Sequence, residues 1–422
     1  MRSYSLEEML PSWCTAIPSV SLEVLQVVYR YYKHALIIIE IIKNKKGCAM
    51  TPPKSIGFPR MEHEKGEKRV FLPDFIQYVS RLCDQVVIEE GYGSRSGFDH
   101  ADYRQGNIKV SFGSRQDAFD QDMVLILRSP DKDFERMNPG AILMSMLHYH
   151  TRPNRIQLFH EMALKTLSLD SIVNDNGVRL VENMKAVAWN GLEVAFGLLE
   201  EHWPDLIRPD GKPIQALLLG TGMVGKHAVD AAVHLGNIER NNQHLALNGP
   251  GAVCNAVGRN LTYHLDEMIP LLEEADILID ATQRRNPSLP VIPNDLIQYL
   301  PAHAILVDLS VDPYIPEAHP PVVRGIEGIP RGNLDKYIFQ PEDPDWEDTI
   351  VDGVPTEHRR RAVTCYSWPG FHPEACMTHY AQQLHPLMPV IFEKGYDGLS
   401  LEEGYFERAL FRATLRAFSD IL

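Results

Sequence analysis

Residues Leu217 to Gly236, LLLGTGMVGKHAVDAAVHLG, leave the chain few architectures to choose from. An apolar run of strand length meets three glycines spaced GxGxxG, Gly220, Gly222 and Gly225, and a helical pattern comes directly after them. In such a strand–turn–helix unit the first glycine allows the tight turn, the second lets the backbone approach a pyrophosphate, and the third lets helix pack closely on strand. The free N–H groups and the positive end of the helix then favour phosphate oxygens. The turn from Gly220 to Gly225, with Thr221, Met223 and Val224 between the glycines, is therefore a candidate dinucleotide contact. The plainer alternative is a structural glycine-rich turn.

A nucleotide unit of this kind carries an Asp or Glu about 20 residues further on, where it takes the ribose hydroxyls of the adenosine. After Gly236 the best strand reading is HLALN, which ends at Asn248. Asn248 then stands where a carboxylate would favour NAD, and Glu239 is the fallback if the strand lies elsewhere. Arg240 or Arg259 would favour NADP. NAD is the expected cofactor, with NADP left open.

The rest of the chain alternates in the same way. KSIGFP, QVVIEEGYG, DMVLILRSP and AILMSMLHYH read as strands running into polar or glycine tips, and LPDFIQYVSRLCD has apolar residues at helical spacing. Helices fit the gaps around Ala101–Gln105 and Pro153–Leu164. A second unit starts at Ile214 and continues through LEEADILIDAT and HAILVDLSVD. Between the units, residues 181–203 form a long helical pattern suited to a rod joining two domains. CMTHYAQQLHPLMPVIFEKG is also helical, but Pro386 and Pro389 interrupt it. This alternation predicts an α/β protein with two doubly wound, Rossmann-like sheets covered on both faces.

Composition narrows the partners. A chain of 422 residues, 44% hydrophobic and 23% charged, has room for two ordinary domains. Its net charge of −15, with no basic stripe, argues against a nucleic-acid partner. Six scattered cysteines without a CxxC pair or zinc-like spacing point to free thiols in a reducing cytoplasm and to no metal site. The apolar run Ala35–Ile42 contains Glu40 and is flanked by lysines, too short and too charged to span a bilayer. Residues 1–52 read as an extension: either an amphipathic helix over 22–42 serving a homo-oligomer contact, or a mistaken start upstream of Met50.

GFPRMEHEKGEKRVFLPD, VVIEEGYGSRSGFDHADY, DMVLILRSP and AILMSMLHYH occur in that order, followed by the glycine turn and AILVDLSVD. Taken together they resemble the alanine dehydrogenase and pyridine nucleotide transhydrogenase superfamily, with its saccharopine and opine dehydrogenase relatives. The resemblance covers roughly residues 54–395, leaving out the extension and the stretch at 325–360. It implies a discontinuous substrate domain, residues 53–200 completed by 370–422, and a dinucleotide-binding Rossmann domain over 205–345. Residues 346–369 connect the two, and a cleft separates them.

The resemblance also assigns roles. Arg69 in EKRV matches the arginine that grips the substrate carboxylate, a role suited to a planar guanidinium; by itself it reads as a solvated loop residue. His148 in SMLHYH matches the catalytic histidine, whose imidazole takes a proton as water adds to an imine and returns it as the amine leaves. By position alone His150 is almost as good. Arg128 in LILRSP stands where alanine dehydrogenases carry a lysine. A guanidinium still holds a carboxylate but cannot usefully share a proton, which points to a second substrate carboxylate or to lost activity. Asp312 matches the aspartate beside the substrate amine and nicotinamide, where it would stabilise developing positive charge; locally it also reads as a turn residue before Pro313. Asp308 reads as structural or at the cleft edge, and His372 in SWPGFHP as a loop residue, with a place lining the cleft as the alternative.

The implied activity is NAD(P)-dependent oxidation at the CH–NH2 group of a small L-amino acid, giving a 2-oxo acid and ammonia. Two alternatives stand beside it: an opine- or saccharopine-type reductive amination, and an inactive NAD(P)-binding sensor or scaffold.

Overall fold

Six parallel strands come first in the chain: β1 (Ser55–Phe58), β2 (Gln85–Glu89), β3 (Val110–Gly113), β4 (Met123–Arg128), β5 (Ile142–Met146) and β6 (Lys165–Ser168). They lie in the order β3-β2-β1-β4-β5-β6. Strands such as β4, MVLILR, are apolar along their length because helices cover both faces, and its first five residues are buried. This structure, a computed structural model, describes residues 52–61 and 65–419; the expected helix at 22–42 lies outside them.

The second sheet contains β7 (Ile214–Leu219), β8 (Ala252–Val257), β9 (Ile277–Asp280), β10 (Ile305–Asp308), β11 (Ile338–Phe339) and β12 (Arg361–Thr364). Its order is β11-β12-β10-β9-β7-β8, parallel except where β11 runs antiparallel to β12 at the edge. Each sheet has one place where the strand order reverses, between β1 and β4 in the first and between β7 and β9 in the second. In open α/β sheets the crevice beyond the carboxyl ends of such a pair is where ligands bind.

HLALN is not the second strand: His244–Ala246 end a helix, Ile238–Ala246, and Leu247 and Asn248 turn away from it. Asn237 caps that helix, its side chain accepting from the N–H groups of Glu239 (2.9 Å) and Arg240 (3.2 Å). The strand is β8, and Asn248 lies in the turn before it with φ +56°. Asn248 is therefore at the opposite end of the strand from the glycine turn, since the Gly220 N–H donates to the Val257 carbonyl at 3.0 Å. Glu239 is displaced with it, into the first turn of the helix. An edge strand with Val253, Asn255 and Ala256 exposed and Ala252 and Cys254 half-buried has a weak apolar pattern, and periodicity does not reveal it for that reason.

The C-terminal helices Pro373–Leu384, Met388–Gly398 and Tyr405–Arg412 return to the first sheet, where Met377, Leu384, Ile391 and Leu410 share one core with Ile56, Leu125 and Met144. Residues 385–387 break the first two helices apart, where Pro386 falls. The Met184–His202 helix buries Ala188, Leu192, Ala195 and Leu199 in the core of the second sheet. Among the described residues no helix is long and apolar enough to cross a membrane.

Candidate active site

The loop after β1 brings Glu67 and Arg69 to the point where the first sheet reverses, and both are buried. Arg69 donates from Nε to Glu67 Oε1 (2.9 Å) and from Nη2 to Oε2 (2.6 Å), so Glu67 occupies one edge of the guanidinium fork. Burial pushes the Glu67 carboxyl up, but the Arg69 charge and the hydrogen bonds from Arg69 and Tyr366 outweigh it and hold it below the usual range. Burial works against the Arg69 charge as well, and Glu67 more than offsets it.

Tyr366, just after β12, closes this group from the second sheet. Its hydroxyl donates to Glu67 Oε2 at 3.0 Å, and the Arg128 guanidinium lies 4.6 Å from the centre of its ring. Gly370 lies four residues on, so close that a Cβ there would be 3.2 Å from Arg69 Nε. The two expected arginines thus meet around one carboxylate and one tyrosine. A cavity of about 160 Å³ opens beside them, lined by Met61, Glu67, Ile126, Arg128 and Pro130 among others. That is well below the ~300–1,000 Å³ of drug-sized sites and suits a small ligand.

His148 stands two residues beyond Met146, the register partner of Arg128 on the neighbouring strand. Its backbone is left-handed, φ +52° and ψ +52°, an uncommon state for a residue with a side chain. Asp170, in the turn after β6, holds it there: one carboxylate oxygen accepts from the His148 N–H at 3.1 Å, and the other lies 3.2 Å from ring Nδ1. The Ser168 hydroxyl donates to the same carboxylate at 2.6 Å. Burial raises the Asp170 carboxyl, but the His148 ring, Ser168 and the His148 backbone together hold it well below the usual range. His150 points elsewhere, with its ring 4.8 Å from that of Phe418. Geometry separates two histidines that strand position alone did not.

Asp312 sits in its own ion pair on the second sheet, Arg284 reaching its Oδ2 from Nη2 at 2.8 Å and from Nε at 3.2 Å. The turn that delivers it is built by Asp308, whose Oδ1 accepts from the N–H groups of Ser310 (2.9 Å) and Val311 (3.1 Å) and from the Ser310 hydroxyl (2.8 Å). Val311 is left-handed at φ +59°, a true outlier for a β-branched residue. Buried Arg324 pairs with Asp308, in keeping with a structural role for that aspartate. His372 pairs with Glu193 on the long helix at 2.8 Å.

At the second reversal point the glycine turn meets its steric requirements. Gly220 has φ +92°, and a Cβ there would lie 2.7 Å from the Ala281 carbonyl oxygen. A Cβ on Gly225 would lie 2.2 Å from the Gly220 oxygen. Around Gly222 a Cβ would meet nothing within 4 Å, so the space a pyrophosphate needs is open on that side. These residues fit a dinucleotide. Gly225→Ala should lower stability by about 1–3 kcal/mol through overpacking and weaken dinucleotide binding; a thermal melt and a fluorescence titration would show both, and an unchanged titration would dissociate the turn from binding.

Residues 59–188, which hold β2 to β6 and include Arg69, Arg128 and His148, match the family described as Alanine dehydrogenase/PNT, N-terminal domain. Over those residues the chain carries the mark of the alanine dehydrogenase/PNT superfamily. The chain is 22% identical over 279 residues to the alanine dehydrogenase of Bacillus subtilis (strain 168), covering 61% of this chain and 70% of that one. It is also 22% identical over 192 residues to the NAD(P) transhydrogenase subunit alpha of Haemophilus influenzae, covering 44% of this chain. That match spans only 37% of the transhydrogenase subunit's own length. Among solved structures, an L-alanine dehydrogenase superposes with a TM-score of 0.61 at 20% identity, covering 87% of this chain and all of that one. A transhydrogenase from Sinorhizobium meliloti gives 0.52 at 16% identity, covering 80% and 94%. The α/β fold with two largely parallel sheets is that of these superfamily structures.

Asp170 and Tyr366, like Glu67 and Arg284, carry no sequence signal that marks them as site residues. Asp170 lies 22 positions from His148 and meets it only because β5 pairs with β6. Tyr366 precedes SWPGF without a motif of its own. Its only signal is its place just past RAVT, an apolar strand too short to stand out.

Proposed function

We propose that this protein is an NAD(P)-dependent oxidoreductase acting on the CH–NH2 group of a small L-amino acid, yielding a 2-oxo acid and ammonia. The observation that carries the reading is the His148–Asp170 pair just past the end of β5, one strand from Arg128, which lines the small cavity. When bound on Gly220–Gly225, the nicotinamide cofactor supplies the hydride acceptor. Arg69 has one edge of its fork on Glu67 and would offer the other to the substrate carboxylate, with Arg128 as a second anchor. With Nδ1 donating to Asp170, Nε2 of His148 is the nitrogen left to take a proton from water as it adds to the imine carbon. The same nitrogen returns that proton to the departing amine. Asp312 would balance charge on the substrate nitrogen once it turns from Arg284 toward it.

On this reading the substrate domain expected over 53–200 and 370–422 gives up the Met184–His202 helix to the dinucleotide-binding domain expected over 205–345, which also takes β12, in a cytoplasmic homo-oligomer. The deciding experiment tracks NAD(P)H formation across a panel of L-amino acids, and NAD(P)H consumption with 2-oxo acids and ammonia. Turnover of one small amino acid in both directions is the expected result. Cofactor binding without turnover of any of them would leave a binding protein in place of an enzyme. Two arginines gathered around Glu67 and Tyr366 favour a second reading, in which a dicarboxylic product forms from an amino acid and a 2-oxo acid. Turnover with amino acids as amine donors, and none with ammonia, would select it.

A further inference from the structure

We infer that Arg259 directs the dinucleotide site toward a ribose 2′-phosphate, making NADP(H) the preferred cofactor; the inference rests on the proposed dinucleotide reading. With β8 assigned to Ala252–Val257, the position that faces the adenosine ribose is Gly258–Arg259–Asn260 and not Asn248. An extra helix, Ile238–Ala246, separates the glycine turn from this strand, so the ~20-residue spacing of the usual carboxylate does not apply.

No Asp or Glu occurs from Gly249 to His264, so no carboxylate comes after the strand to take two ribose hydroxyls or to repel a phosphate there. The first charged residue beyond the strand is instead an exposed arginine, Arg259. Its Nη2 donates to the Gln283 carbonyl at 2.9 Å. Gln283 comes just after β9, Arg259 just after β8, and β7 lies between those strands. The Arg259 side chain therefore bridges the two loops that flank the glycine turn. Gly220 is tied to the end of β8 by its own N–H to the Val257 carbonyl, which sets the backbone leading into Arg259 beside the turn. A planar guanidinium is the group that recognises a phosphate monoester in bidentate fashion. Exchanging one backbone carbonyl for a dianionic phosphate needs only a side-chain movement.

Arg240, the other arginine near this segment, is committed elsewhere. Its Nε donates to Glu200 at 3.2 Å and its Nη1 to the Leu235 carbonyl at 2.9 Å, packing its helix on the Met184–His202 helix.

The test is a fluorescence titration of the full chain with NADPH and with NADH, plus competition by 2′,5′-ADP and by 5′-AMP. NADPH should bind about tenfold tighter or more, the scale of one charge-assisted hydrogen bond, and 2′,5′-ADP should compete better than 5′-AMP. Arg259→Ala should remove most of that difference by weakening NADPH, and Arg259→Lys should restore part of it, with unchanged melting curves for both. Wild-type protein that binds NADH as tightly as NADPH would overturn the inference and leave the dinucleotide reading standing. Equal weakening of both cofactors by Arg259→Ala would also overturn it, assigning the guanidinium to the pyrophosphate. Binding of neither cofactor would remove the dinucleotide reading itself, and this inference with it.

Discussion

Replacing His148 with alanine is expected to lower kcat by about 10²–10⁴-fold, the usual worth of one positioned acid–base group, while NAD(P)H binding stays at wild-type strength. The cofactor turn lies on the second sheet and His148 on the first, so the two losses are separable. Steady-state rates with the amino acid found by the panel, alongside a cofactor titration, would measure both. A variant that keeps its rate would remove His148 from the chemistry. Asp170→Asn should cost rate in the same direction, because the amide cannot match the carboxylate that orients the ring and accepts from its backbone. It also carries a stability signature. The folded Asp170 carboxyl sits below its unfolded value, so its contribution is complete above the ordinary aspartate pKa of about 4 and is lost as pH falls through the lower folded value. Asp170→Asn should therefore flatten the acid limb of a melting-temperature curve that the wild type shows.

The parts of the site legible in the sequence are those whose evidence is local. Gly220, Gly222 and Gly225 announce themselves because each spacing answers a steric demand within one turn, and the contacts of Gly220 and Gly225 match those demands. Arg128 and His148 stand at the ends of apolar runs, and strand ends are where an open sheet places its polar groups. The hidden parts depend on pairing between distant segments. Asp170 meets His148 through the β5–β6 register, Tyr366 meets Glu67 across the two sheets, and Arg284 meets Asp312 through the loops after β9 and β10. Asn248 is misplaced by sequence reasoning because a helix with apolar residues only on one side can imitate a short strand, while the true edge strand has little apolar pattern to read. Arg69 shows the reverse error. As a sequence element it reads as solvated, yet the chain buries it against a carboxylate that lies two residues before it.

That burial gives Glu67→Ala the largest expected effect on stability. Arg69 is 4% exposed, and Glu67 neutralises it with two side-chain hydrogen bonds. Removing one partner of a buried ion pair typically costs about 3–5 kcal/mol, because the remaining charge stays out of water without compensation. The Tyr366 hydroxyl loses its acceptor at the same time. Glu67→Gln, which keeps the shape and an acceptor oxygen, should cost less. The two variants also test what Arg69 is for. If it grips the substrate carboxylate, an amino-acid ligand supplies the charge that Glu67→Ala removed. The ligand-induced rise in melting temperature should then be larger in Glu67→Ala than in the wild type. A purely structural arginine predicts no such gain, and an equal or smaller rise would confine Arg69 to holding the β1 loop against Tyr366 and Gly370.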